Sequence, residues 1–205
     1  MSGRKFLTKN EIAALLSASL EGPNPERNHC LILMAFLHGF RASELLALNV
    51  SDLDLEGRVI YVSRMKNGFS TVHPLLPAEV KTLKRWLQVR REILGSRLTD
   101  EGRLFVSQKG RQLSRQQFYN ILSVNGKRAA LSLNPHPHML RHACGYALAD
   151  NGVDTRLIQD FLGHRNIRHT VRYTAANPAR FEGIWTSSKW RKGIQKEPKC
   201  NHSLN

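Results

Sequence analysis

Pro137-His138-Met139-Leu140-Arg141-His142-Ala143-Cys144-Gly145-Tyr146 opens the stretch that decides the fold, and Leu162-Gly163-His164, followed nine residues later by Tyr173, closes it. Proline pre-sets the backbone for a first helical turn, so a helix starts at Pro137 and runs to Asn151-Gly152, where glycine accepts a left-handed cap. From Asp154 a second helix runs to Leu162, Gly163 stops it, and a third over Ile167 to Ala176 carries Tyr173. His138 and Arg141, three residues apart, share one helix face and can reach one ligand together. Adding Arg41 of Gly39-Phe40-Arg41-Ala42-Ser43-Glu44-Leu45 completes a set of one tyrosine, two arginines and two histidines. Those are the groups needed to attack a DNA phosphodiester and hold its charge.

Singly, each residue also has a plain structural reading. His138 can be a satisfied structural histidine, His136 and His142 stand close enough to be confused with it, and Arg41 can simply pair with Glu44 on the helix that it begins. Only the combination favours chemistry.

Working outward, Thr8 to Glu11 is a capping box opening a helix towards Leu20, which the turn Gly22-Pro23-Asn24-Pro25 ends. A second helix near Arg27 to His38 is apolar over Leu31 to Leu37 and belongs at the centre of the core, with a short helix at Ala42 to Leu48 after it. Arg58 to Ser63 and Ser70 to Leu75 read as two strands of a hairpin with Lys66 in its loop. Pro77 starts a long helix to about Leu94, with Val80, Leu83, Leu87 and Leu94 as its apolar stripe. Leu104 to Ser107 reads as a short strand, and Ser114 to Gln117 is a second capping box, for a helix carrying Phe118, Ile121 and Leu122.

The chain has 205 residues, enough for one domain with a sizeable core. Its 31 Lys and Arg against 16 Asp and Glu give a net charge of +15, which calls for a polyanionic partner. A membrane is the weaker choice, because no apolar run approaches the roughly 20 residues that span a bilayer and the start Met-Ser-Gly-Arg-Lys is followed by no signal-peptide core. The three cysteines, Cys30, Cys144 and Cys200, have no CxxC spacing and suggest neither a disulfide framework nor a zinc finger; Cys30 and Cys144 read as buried thiols.

The charge is unevenly placed. Glu11, Glu21, Glu26, Glu44, Asp52, Asp54 and Glu56 outnumber Lys9, Arg27 and Arg41 between Thr8 and Gly57. From Gly102 to Ala149 no carboxylate occurs, while Arg103, Lys109, Arg111, Arg115, Lys127, Arg128 and Arg141 do. So long an acid-free stretch favours a surface facing phosphate over a merely solvated one.

With these motifs in this order, the chain resembles the catalytic domain of the tyrosine recombinases, the integrase family that includes phage integrases and the Xer proteins. Gly39-x-Arg41-x-x-Glu44-Leu45, a hairpin lysine, His138-x-x-Arg141, Leu162-Gly163-His164 and Tyr173 carry the likeness, over roughly residues 5 to 185. Lys66 to Leu75, Leu113 to Gln117 and the block from His136 to Tyr173 resemble more narrowly the short Fim-type recombinases, which invert a promoter-bearing element that switches fimbrial expression. The resemblance implies a mainly α fold with a small antiparallel β-sheet (α+β), residues 1–185 forming the catalytic domain and 186–205 a basic, partly disordered tail.

It also implies roles. Tyr173 is the nucleophile that forms a 3′-phosphotyrosyl link, Arg41 and Arg141 hold the non-bridging oxygens, and Lys66 protonates the departing 5′-oxygen. His138 acts on the tyrosine proton or orients the phosphate, and His164 donates a further hydrogen bond. The surrounding cations are expected to favour the phenolate. Lys109, Arg111, Arg115, Lys127 and Arg128 are the candidate DNA-binding side chains. No cofactor and no metal are implied, since the phosphodiester energy is kept in the covalent link.

The implied partners are double-stranded DNA with inverted-repeat sites, a homotetramer on synapsed DNA and accessory DNA-bending proteins, with no membrane, in the cytoplasm and associated with the nucleoid. Larger members carry a core-binding domain ahead of the catalytic one; the motifs here begin almost at once, so weak monomeric DNA binding is expected. Phe181, Ile184, Trp185 and Trp190 either dock in a neighbouring protomer or fold back on their own domain. Other readings are integration or excision of a mobile element, a catalytically silent DNA-binding regulator, a type IB topoisomerase-like enzyme, and a zinc hydrolase using His136, His138, His164 and His169. The last matches no zinc-site spacing.

Overall fold

The computed structural model describes residues 4–63, 70–97 and 102–175. Thr8 caps helix α1 (Lys9–Leu20) through a reciprocal bond pair with Glu11, as its sequence requires. Asn24, in the left-handed region, turns the chain into α2 (Pro25–Leu37). Cys30, Leu31, Ile32, Met34 and Ala35 of α2 are buried, so this helix is the centre of the molecule. The short α3 (Ala42–Ala47) follows Arg41.

A three-stranded antiparallel sheet comes next, in the order β1 (Leu53–Asp54), β2 (Val59–Val62) and β3 (Thr71–Pro74). Tyr61 pairs with Val72 on its exposed face, while Ile60, Val62 and His73 point inward. The two hairpin strands stand where expected, and Lys66 between them lies outside the described residues. β1 is an addition to the expected pair; two residues carry no readable alternation.

Helix α4 (Pro77–Leu94) packs along α2 with Leu83, Trp86 and Leu94 buried. The expected strand at Leu104 to Ser107 is not one. Its backbone is claimed instead by Leu48, whose carbonyl accepts from Leu104 N–H at 2.8 Å, and by the Trp86 indole, which donates to Leu104 O at 2.9 Å. Only isolated bridges, Asn49 with Arg103 and Val106 with Gln112, mark the segment.

Ser114 caps α5 (Arg115–Arg128), and His136 precedes α6 (Pro137–Asp150). α7 (Thr155–Leu162), capped by Asp154, ends at left-handed Gly163, and α8 (Arg168–Ala175) packs against both α6 and α7. Cys30 and Cys144 are buried free thiols, and burial next to Glu79 pushes the Cys30 pKa well up. Cys200 and the whole tail from residue 186, with Phe181, Ile184 and Trp185 before it and Trp190 in it, lie outside the described residues.

A buried polar chain fastens the sheet to the helices. Thr71 Oγ1 lies 3.1 Å from His73 Nε2, His73 Nδ1 lies 3.1 Å from His38 Nδ1, and His38 Nε2 lies 2.8 Å from Glu79 Oε1. Glu79 Oε2 accepts from the backbone N–H of Leu76, and Phe161 of α7 stacks on His73 at 4.1 Å. All three titratable members are 2% exposed, so each bond replaces one that water would have made. Removing the carboxylate with Glu79→Ala orphans the His38 and Leu76 donors and is expected to cost about 3 kcal/mol or more. Urea unfolding measures this, and a midpoint equal to that of the parent protein would contradict it.

Candidate active site

Arg41 stands at the turn into α3, its backbone extended (φ −69°), so that its N–H and its guanidinium reach the same carboxylate. The N–H donates to Glu44 Oε2 at 2.9 Å and Nη1 to Oε1 at 2.5 Å, while Nη2 donates to the Gly163 carbonyl at 3.1 Å. The side chain remains 38% exposed, so its charge faces solvent. Arg141, buried on α6, donates to Gly39 O at 2.5 Å and to Leu162 O at 2.6 Å, with Glu44 Oε2 4.0 Å away. The salt bridge expected of Arg41 as a structural residue and its placement beside Arg141 are therefore both present. One buried carboxylate serves the two arginines.

His164 follows the Gly163 stop. Its backbone N–H donates to Gln159 O at 3.0 Å, its carbonyl accepts from the Gln159 amide at 2.9 Å, and its Nδ1 lies 2.9 Å from Thr170 Oγ1. Burial first, then Arg141 and Arg41, press its pKa down to about 3. A neutral imidazole that accepts from Thr170 at Nδ1 keeps its proton on Nε2, as a donor. His138, in the first turn of α6, is exposed, and its pKa is also lowered, by partial desolvation and then by Arg141, Arg41 and Arg172.

Tyr173 is 1% exposed. Its ring lies over Gly145, where a Cβ would come within 2.6 Å of it, and Tyr146 meets it edge-on at 5.1 Å. His164 lies alongside at 6.2 Å. The hydroxyl is 2.9 Å from His142 Nδ1, and Arg172 Nη2 donates to it at 3.3 Å. The expectation that cations favour the phenolate is not met in the free protein. Burial raises the phenol pKa, and Arg172 and Arg141 offset only part of that.

The structure thus brings Arg41, His138, Arg141, His164 and Tyr173 to one place; Lys66 is outside the described residues. His142 and Arg172, the partners of the phenol, were not among the expected site residues. Adjacency to Arg141 and to Tyr173 was the available signal, but the meeting of α6 with α8 is tertiary and leaves no trace in spacing.

The candidate DNA-binding side chains are all exposed and fall into two groups. Lys109 and Arg111 sit on a tight turn around left-handed Gly110, and Arg115 opens α5 at a cleft shared with Ser43, Arg103 and Ser114. Lys127 and Arg128 lie at the other end of α5, about 20 Å away, where Arg128 donates to Asn125 Oδ1 and covers Gly22. Arg103, from the same acid-free stretch, is committed to the Ala47 carbonyl and the Asn49 side chain.

A helical domain with a small antiparallel sheet, in which two arginines, two histidines and a tyrosine from separated segments meet, has the make-up of a tyrosine recombinase catalytic domain. Residues 5–180 match the phage integrase family, and the chain belongs to that family of tyrosine recombinases. It is 56% identical over 189 residues to the type 1 fimbriae regulatory protein FimB of Escherichia coli K12, covering 92% of this chain and 93% of FimB. To FimE of the same strain it is 54% identical, covering 90% and 92%. Among solved structures, XerA recombinase superposes with a TM-score of 0.74 at 28% identity, over 88% of this chain and 64% of that one. XerH recombinase in a post-cleavage complex with its palindromic difH substrate gives 0.72 at 26% identity, over 89% and 53%.

The depressed histidine pKa values have a consequence for stability. Below their ordinary value of 6.5 the unfolded chain takes up protons that folded His142 and His164 refuse until about 4 and about 3. Stability therefore is full above the unfolded value and falls as pH drops below it. The melting temperature in low salt is expected to be lower at about pH 5 than at about pH 7.5; equal or higher values at the acid pH would contradict the assigned charge states.

Proposed function

We propose that this protein is a site-specific recombinase that breaks and rejoins DNA through a 3′-phosphotyrosyl intermediate, inverting a promoter element between inverted repeats and so controlling phase-variable fimbrial expression. The observation that carries the reaction is the convergence of Arg41, Arg141, His164 and Tyr173, with the Glu44 carboxylate within 4.0 Å of both arginines. Similarity to FimB and FimE along nearly their whole length supports the biological role. The complex of XerH with its palindromic difH substrate supports DNA as the partner.

In this reading the Tyr173 oxygen attacks the scissile phosphorus. Charge that grows on the non-bridging oxygens is met by Arg41 and Arg141, already fixed by backbone carbonyls and therefore needing little reorganisation. His164 Nε2 donates to the same phosphate, and His138 orients it from the first turn of α6. Lys66 protonates the departing 5′-oxygen. Lys109, Arg111 and Arg115 follow the DNA backbone on one side, and Lys127 with Arg128 on another. Four protomers on two sites, aided by DNA-bending proteins, form the working assembly. Among the described residues no helix is long and apolar enough to cross a membrane.

A suicide substrate that traps covalent protein–DNA adducts tests the chemistry. Tyr173→Phe is expected to abolish adducts with near-normal DNA binding, and Arg141→Ala to lower cleavage about 100-fold or more with a smaller loss of affinity. An adduct surviving in Tyr173→Phe would move the nucleophile elsewhere. Rapid relaxation of plasmids lacking a recombination site would instead favour a topoisomerase.

A further inference from the structure

We propose that His142 is the proton acceptor for the Tyr173 phenol, a catalytic residue in addition to those above. The inference rests on Tyr173 being the nucleophile. His142 Nδ1, Tyr173 Oη and Arg172 Nη2 form a closed triangle with sides of 2.9, 3.3 and 3.1 Å. Arg172 has donors only, and a neutral imidazole nitrogen offers one in-plane lone pair. One arrangement satisfies all three groups: the phenol O–H donates to His142 Nδ1, Arg172 donates to the phenol oxygen, and the imidazole keeps its own proton on Nε2. His138 lies one helical turn earlier on α6, which leaves it to the phosphate.

The ring is held for this. Gly145 leaves room beneath it, Tyr146 closes its edge, and burial leaves water little access to the hydroxyl. A buried phenol with a raised pKa needs an acceptor within hydrogen-bond reach, and His142 supplies it. As the tyrosine oxygen bonds to phosphorus, its O–H bond breaks and the proton moves to His142 Nδ1. The bond from phosphorus to the 5′-oxygen breaks, and that oxygen takes a proton from the general acid assigned to Lys66. Rejoining runs the same transfers backwards, His142 returning its proton to the departing tyrosine oxygen.

The charges around His142 add a control. Arg172 and Tyr173 face it from α8, His138 and Arg141 from its own helix, and His136 from the turn before; burial and then Arg172 hold it down to about 4. In the free protein it is neutral and a weak base. A scissile phosphate bound at Arg41 and Arg141 brings a negative charge that counters theirs and strengthens His142. Activation of the nucleophile thus waits for DNA.

Adduct formation by His142→Asn and His142→Ala on the suicide substrate tests this, with DNA binding measured by gel shift as the check on folding. Asparagine keeps an acceptor near the Nδ1 position and cannot take a proton. Both variants are expected to lose about 100-fold or more at neutral pH, and their rates to climb steeply with pH as hydroxide replaces the missing base, while the unsubstituted protein stays level. Added imidazole is expected to restore part of the rate to His142→Ala. Near-normal cleavage by His142→Asn, or a loss that is the same at every pH and unmoved by imidazole, would overturn the proposal and leave His142 a positioning residue at most. Failure of the nucleophile reading is separate, because it shows as adducts in Tyr173→Phe.

Discussion

Everything at the site depends on the carboxylate of Glu44. Two guanidinium groups repel, and the buried Arg141 would not stay close to the partly exposed Arg41 without an opposite charge near both. Glu44, 4% exposed, contacts Arg41 at 2.5 Å and stands 4.0 Å from Arg141. The backbone N–H of Arg41 fixes the carboxylate in turn. The arginines then reach out to the Gly39, Leu162 and Gly163 carbonyls, joining the loop after α2 to the end of α7. A phosphate meeting this pair finds positive charge already oriented.

That same charge sets the protonation of the other groups. Burial and then the arginines lower the pKa values of His138, His142 and His164, the last two to about 4 and about 3, whereas burial raises that of Tyr173 and keeps its proton in place. A neutral His164 can donate and a neutral His142 can accept, which is the division of labour that a phenol attacking a phosphodiester needs. In the proposed reaction the protonated, buried phenol keeps the nucleophile quiet until DNA is bound. The Gly145 floor beneath it is a steric condition for this, since any larger side chain there would collide with the ring.

Much of this was legible in the sequence because it is local. Pro77 and Pro137 begin helices, Thr8 and Ser114 cap them, and Gly163 ends one, each by a rule acting within a few residues. Of the six expected catalytic residues, the five described ones stand where the local reading puts them: Arg41 just before α3, His138 and Arg141 on α6, His164 after the Gly163 stop and Tyr173 on α8. What could not be read depends on distant partners. The segment at Leu104 bonds to Leu48 and Trp86 instead of to a strand, the His38–His73–Glu79 chain spans α2, β3 and α4, and His142 meets Tyr173 only because α6 and α8 pack together. The sign of the phenol shift was missed for a related reason: the cations are evident from sequence, but the depth of burial is not.

Arg41, Glu44, Arg141, His142, His164 and Tyr173 come together within one chain, and in the proposed reaction each chain's own tyrosine attacks the phosphate held by its own arginines. Mixing the Arg41→Ala protein with the Tyr173→Phe protein on the suicide substrate tests this most directly. A site complete in each chain predicts no adduct in the mixture beyond the sum of the two proteins alone. Restored adduct formation would mean that one chain's tyrosine attacks at another chain's arginines, and would contradict it.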